Sequence, residues 1–105
     1  MSIDFSKVPG KELVKGVTGK YIHSKTFTVG YVTIEEGAIM PSHSHVHEQT
    51  TQVISGQLEM TIDDKTEILK DGMITIIPSN ATHSARALSK CQVIDTFYPI
   101  REDYK

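Results

Sequence analysis

The sequence predicts an all-β fold. No segment sustains a 3.6-residue apolar period, short runs alternate apolar and polar residues, and turn residues separate those runs at intervals of roughly 8 to 12 residues. Strands at that spacing suit a sandwich or a barrel.

The elements follow in order. Residues 1–20 are the least patterned: Lys11 to Lys15 is helical or extended, and the whole segment could pack as an arm on a partner subunit. Thr26 to Ile34, rich in Thr, Val, Tyr and Ile, is the first clear strand, and Thr51 to Ile54 is a second. Leu58, Met60 and Ile62 alternate on a third, and Glu67 to Leu69 form a fourth. Met73 to Ile77 is almost continuously apolar, His83 to Leu88 follows, and Cys91 to Tyr98 closes the series with Val93, Asp95 and Phe97 on one face. Glu35-Glu36-Gly37, Ser55-Gly56, Asp63-Asp64-Lys65, Lys70-Asp71-Gly72, Pro78-Ser79-Asn80 and Ser89-Lys90 are the turns between them.

Length and composition bound the function. A chain of 105 residues is the size of one domain, with 38% hydrophobic and 23% charged residues and no polar tract. Eleven Lys and Arg against thirteen Asp and Glu leave a net charge of −2, without the basic footprint of a nucleic-acid binder. There is neither a leader-like apolar segment near Met1 nor a membrane-length one, so a cytoplasmic protein without a membrane partner is expected. The single cysteine, Cys91, reads as a small strand filler rather than a nucleophile.

Chemistry concentrates between Pro41 and Gln49. In an extended chain His43, His45, His47 and Gln49 share a face, while Glu48 points away. Imidazole nitrogens with a carboxamide oxygen suit a divalent transition metal such as Ni, Zn, Fe, Mn or Cu, although a histidine-rich surface loop would look the same. His83, entering a later strand after Pro78 and Asn80, offers a further ligand.

These residues resemble the cupins, small single-domain β-barrels of jelly-roll type whose two signature segments place a metal inside the barrel. The first segment reads Gly37, His43, His45, Gln49, Gly56 with every interval kept and Gln in the place of Glu. The second reads Gly72, Pro78, Asn80, His83, Ala87, with Asn in the place of the second glycine and Ala in the place of the asparagine. By this resemblance His43, His45, Gln49 and His83 are the metal ligands. Exchanging Glu for Gln removes a negative charge beside the metal, which favours an anionic ligand such as a carboxylate. His47 falls outside the signature positions, as a neighbour of the ligands or a solvent-exposed residue.

The segments His45 to Gly56 and Val93 to Tyr104 are similar to pectin-degradation cupins of the KdgF type, a likeness running over roughly residues 25 to 105. Those proteins convert 4,5-unsaturated uronates into linear 4-deoxy-5-keto uronates, and their C-terminal Asp, Phe and Arg line the substrate pocket. Asp95, Phe97 and Arg101 stand at the matching positions. An aspartate on an apolar strand face is costly to bury unless paired or functional, and Arg86 or Lys90 are the alternative partners of Asp95. Arg101 could clamp a uronate carboxylate or form an ion pair with Glu102 or Asp103, and Phe97 could stack on a sugar-like ring or fill the core.

Three functions are therefore in play. The resemblance implies a metal-dependent enzyme that linearises unsaturated uronates, acting on a small-molecule carboxylate and forming a homodimer. A non-catalytic sugar-acid-binding cupin is the second, and another metal-dependent cupin enzyme, such as a dioxygenase or a cyclase, is the third.

Overall fold

In a computed structural model that describes residues 1–105, ten strands form two antiparallel sheets. The strands are β1 (Lys11–Val14), β2 (Val17–His23), β3 (Thr28–Ile34), β4 (Ile39–His43), β5 (Glu48–Ser55), β6 (Leu58–Ile62), β7 (Lys65–Leu69), β8 (Ile74–Ile77), β9 (His83–Ala87) and β10 (Cys91–Tyr98). Short 3₁₀ turns at Phe5–Lys7 and Glu102–Tyr104 bracket them. One sheet runs β1-β2-β3-β10-β5-β8 and the other β4-β9-β6-β7. The expected all-β cupin architecture is what forms. No helix is long and apolar enough to cross a membrane.

Period-two patterning does the sorting. Along β3, Thr28, Val32 and Ile34 are buried, and along β10 Cys91, Val93 and Phe97 are, so alternate side chains enter the space between the sheets. Val17, Val53, Leu58, Leu69 and Ile77 complete the core at no more than 1% exposure. Truncating any of the larger ones to alanine should cost about 2–5 kcal/mol. Cys91 is part of this packing, its thiol donating to the Gln57 carbonyl at 3.2 Å, and burial pushes its pKa up.

Two parts of the chain depart from the sequence-based expectation. Residues 1–20, the least patterned part of the sequence, hold β1 and the start of β2: β1 lies on β2, and β2 pairs with β3 from Val17↔Ile34 to His23↔Thr28. Gly19 and Lys20 dilute the strand signal of β2, but Gly19 is required by the packing, since a Cβ there would lie 2.5 Å from the Tyr21 hydroxyl oxygen. The second departure is β4, hidden by Pro41 and Ser42; it is an edge strand, where proline is tolerated.

Turn chemistry is as the sequence demands at two positions. Gly56 has φ +102°, and a Cβ there would run into the Lys90 carbonyl. Asn80 takes φ +65°, and its N–H donates to the His45 carbonyl at 2.8 Å, tying the β8–β9 turn to the histidine loop.

Candidate metal centre

Between the sheets, polar residues gather where the rest of the interior is apolar. Gln49, Thr51, His83 and Arg101 are at most 7% exposed, and all four line one cavity with His43, Asp95 and Phe97. Buried polar groups need partners, so their bonding reports what the site is built to do.

The imidazoles come from three places. His43 ends β4 and His83 begins β9, directly opposite one another in the ladder, while His45 lies in the bend between β4 and β5. One ring nitrogen from each lies within 4.8 Å of the other two. The chain does not stay extended through Ser44 to His47, but β5 restores the alternation, so that Gln49 is buried and Glu48 exposed.

Their hydrogen bonds share a pattern. Nδ1 of His43 lies 2.8 Å from the Pro41 carbonyl, Nδ1 of His83 lies 2.9 Å from the Ala81 carbonyl, and Nδ1 of His45 lies 3.0 Å from the His47 carbonyl. A carbonyl only accepts, so each neutral ring carries its proton on Nδ1 and keeps a lone pair on Nε2. For His83 that Nε2 is buried without a partner. For His45 it lies 3.1 Å from Gln49 Oε1, two lone-pair donors facing each other. A shared cation relieves both the orphaned nitrogen and this opposition, so His43, His45, Gln49 and His83 fit a divalent metal. Burial, the Arg101 charge and His83 bring the His45 pKa down to about 4, and burial also lowers that of His83, which keeps both rings neutral and available.

Asp95 sits beside this cluster. It meets neither Arg86, which pairs with Glu59 at 3.5 Å, nor Lys90, which pairs with Glu35 at 3.7 Å. Instead it opposes Thr51 in the β10–β5 ladder and accepts from Thr51 Oγ1 at 2.7 Å. The residue is half-buried, its open side being the cavity and the remainder protein. Desolvation pushes its pKa up to about 6 against the opposing pull of Thr51 and Gln49.

Arg101 forms the ion pair with Asp103, Nε to Oδ1 at 3.0 Å and Nη2 to Oδ2 at 2.8 Å, yet its side chain is only 7% exposed. Its guanidinium carbon lies 3.9 Å from the Tyr104 ring centre and 4.8 Å from that of Phe97. Its backbone N–H is anchored on Thr28 Oγ1 at 3.0 Å. Phe97 is a core residue and a cavity wall at once, 3% exposed and edge-on to His45 at 5.9 Å. An outer groove shares Leu13, Met40, His43, Arg101 and Tyr104 with the cavity. His47 donates from Nε2 to the Ile100 carbonyl at 3.2 Å, leaving its own Nδ1 buried and unpartnered.

Three neighbours of the site escape a reading of the sequence. Thr51 was legible only as a strand residue, although its parity with Gln49 places it on the inward face. Tyr21 and Tyr104 line the cavity from β2 and the C-terminal turn, where nothing in sequence points inward. Burial raises the pKa of both phenols.

Comparison with known proteins adds three findings. Residues 30–97 match the cupin domain. The pectin degradation protein KdgF of Dickeya dadantii (strain 3937) is 34% identical over 101 residues, covering 93% of this chain and 92% of that protein. Among solved structures, KdgF from Halomonas sp. superposes with a TM-score of 0.88 at 26% identity over 95% of this chain and 94% of that one. An RmlC-like cupin from Shewanella frigidimarina reaches 0.89 at 23% identity, over 95% and 91%.

Proposed function

Since the chain belongs to the cupin family and is similar to KdgF along nearly its whole length, we propose that it is a metal-dependent enzyme of pectin degradation that linearises 4,5-unsaturated uronates. The observation that carries this reading is one cavity lined by His43, Gln49 and His83 together with Asp95, Phe97 and Arg101.

The reaction is an isomerisation. The hemiacetal gives up its hydroxyl proton as the ring C–O bond breaks, and the ring oxygen takes a proton to leave an enol. The enol becomes a ketone by losing that proton from oxygen and gaining one on the former alkene carbon. A group that both takes and returns a proton near neutrality serves each step, and Asp95, with its pKa near 6, has that character. Phe97 walls the cavity against water, and Arg101 supplies positive charge for the uronate carboxylate. Because Asp103 holds Nε and Nη2, a substrate carboxylate would meet Arg101 through Nη1 or in exchange for Asp103. His43, His45, Gln49 and His83 would hold one divalent transition metal, which supplies Lewis acidity toward the substrate oxygens.

A homodimer and a cytoplasmic location belong to the same reading. The outer face of the edge strand β8 presents Ile74 and Ile76 at 59% and 62% exposure, a surface that a second copy would cover. Light scattering should then give twice 11.7 kDa.

The test is an ultraviolet time course on 4,5-unsaturated galacturonate, whose conjugated double bond disappears on linearisation. Metal-loaded protein should remove the absorbance far above the spontaneous rate, and chelated protein should not. No acceleration with one metal bound per chain would sink the uronate-linearising reading and leave a sugar-acid-binding cupin or a metal-dependent cupin enzyme with another substrate.

A further inference from the structure

A threonine hydroxyl has one proton to give and two lone pairs to receive with. Thr51 Oγ1 stands between two groups, 2.7 Å from Asp95 Oδ1 and 2.9 Å from Gln49 Nε2, and the residue is 2% exposed, beyond the reach of bulk water. An ionised carboxylate only accepts, so the Thr51 proton is committed to Asp95. Toward Gln49 the hydroxyl can then only accept, and what it needs there is an amide N–H. That turns the Gln49 NH₂ to Thr51 and its Oε1 to His45 Nε2.

We propose that Thr51 is a positioning residue, whose hydroxyl, oriented by Asp95, fixes the Gln49 amide so that oxygen rather than nitrogen faces the imidazoles. The inference rests on the metal reading above and deepens it. The flipped amide is the competing state. It would point Oε1 at a lone pair of Thr51, which is unfavourable, and its NH₂ at the free Nε2 of His45, which is favourable. The second contact would take both an oxygen and an imidazole lone pair out of the ligand set. Thr51 supplies the difference that keeps the productive orientation.

The same bookkeeping of protons says why position 49 carries an amide. A glutamate there would need a donor from Thr51, whose single proton already serves Asp95, and two carboxylates would contest one hydroxyl.

The experiment titrates Co(II) into the chelated full chain, reading affinity by competition with a chromophoric chelator and ligand set by the visible absorption of the bound ion. Thr51→Val, close in shape but without the hydroxyl, should bind about ten- to a hundredfold more weakly with an altered spectrum. Thr51→Ser should restore both. Thermal unfolding without metal separates this from loss of fold, and Thr51→Ala carries the same test should the valine variant not fold. Native affinity and spectrum in a folded Thr51→Val or Thr51→Ala protein overturn the inference while leaving the metal site standing. Failure of the unsubstituted protein to bind Co(II) overturns both.

Discussion

His43 and His83 face each other across the β4–β9 ladder with ring centres 4.2 Å apart, each ring held through Nδ1 by the carbonyl two residues before it. Two separate strands thus present the same tautomer, with Nε2 free, before any ion arrives. His83→Ala should therefore abolish one-to-one binding of a divalent metal, measured by mass spectrometric metal analysis after dialysis, while the β9 ladder still forms. In the native chain, metal at about a hundred times its Kd should raise stability by about 2.7 kcal/mol. An equal unfolding midpoint with and without metal would contradict the site.

Asp95→Asn separates chemistry from stability. Turnover on the unsaturated uronate should fall about a hundredfold or more, since the neutral amide moves no proton. Stability should move the other way. The native state raises the Asp95 pKa from 3.8 to about 6, so its contribution is fully present below pH 3.8 and is lost as pH rises through 6. At pH 7.5 the carboxylate is ionised at a cost, and the asparagine variant should be more stable by about 1–2 kcal/mol, allowing for the solvent side of the cavity. Urea unfolding of both chelated proteins at that pH measures it. A variant less stable than its parent would mean that the carboxylate is better solvated than its surroundings suggest.

The histidines give the opposite slope. His45 falls from 6.5 to about 4 and His83 is also lowered, so their contribution is present above pH 6.5 and is lost as pH drops through 4. Between pH 4 and 6 the two trends oppose one another in the native chain. Removing the Asp95 slope should leave the histidine slope alone, and chelated Asp95→Asn should lose urea resistance more steeply on acidification than its parent. Parallel curves for the two proteins would refute this.

How much of this was legible follows from how far each residue's role depends on its own strand. Period-two alternation is a property of one strand at a time, so β3, β6, β9 and β10 and the inward parity of Gln49 and Asp95 could be read directly. The bond from Thr51 to Asp95 crosses between strands 44 residues apart, and nothing in either strand alone announces it. Arg101 shows the same limit. Its ion pair with Asp103 is local and was foreseeable, whereas its burial between Tyr104 and Phe97 is a matter of tertiary packing. β2 is hidden because Gly19 and Lys20 dilute its strand pattern, and the reason for the glycine, the ring of Tyr21 lying over it, appears only in the packed structure.

That ring yields the last prediction. Tyr21 lies flat across the inner face of the six-stranded sheet, over Gly19 and Gly30, and a Cβ at Gly30 would sit 2.5 Å from its Cε1. Gly30 is the register partner of both Tyr21 on β2 and Asp95 on β10, so the ring occupies the row that leads to the aspartate. Gly30→Ala must displace the ring, because the obstacle is a buried aromatic hemmed in by Tyr104 at 4.6 Å rather than a flexible side-chain end. The substitution should cost about 1–3 kcal/mol by overpacking and impair turnover, with Co(II) affinity unchanged because none of the proposed ligands moves. Adding Tyr21→Leu should relieve the clash, so that the double variant is more stable than the two single losses predict. Strict additivity, read by urea unfolding of all four proteins, would show that Gly30 is not there to seat Tyr21.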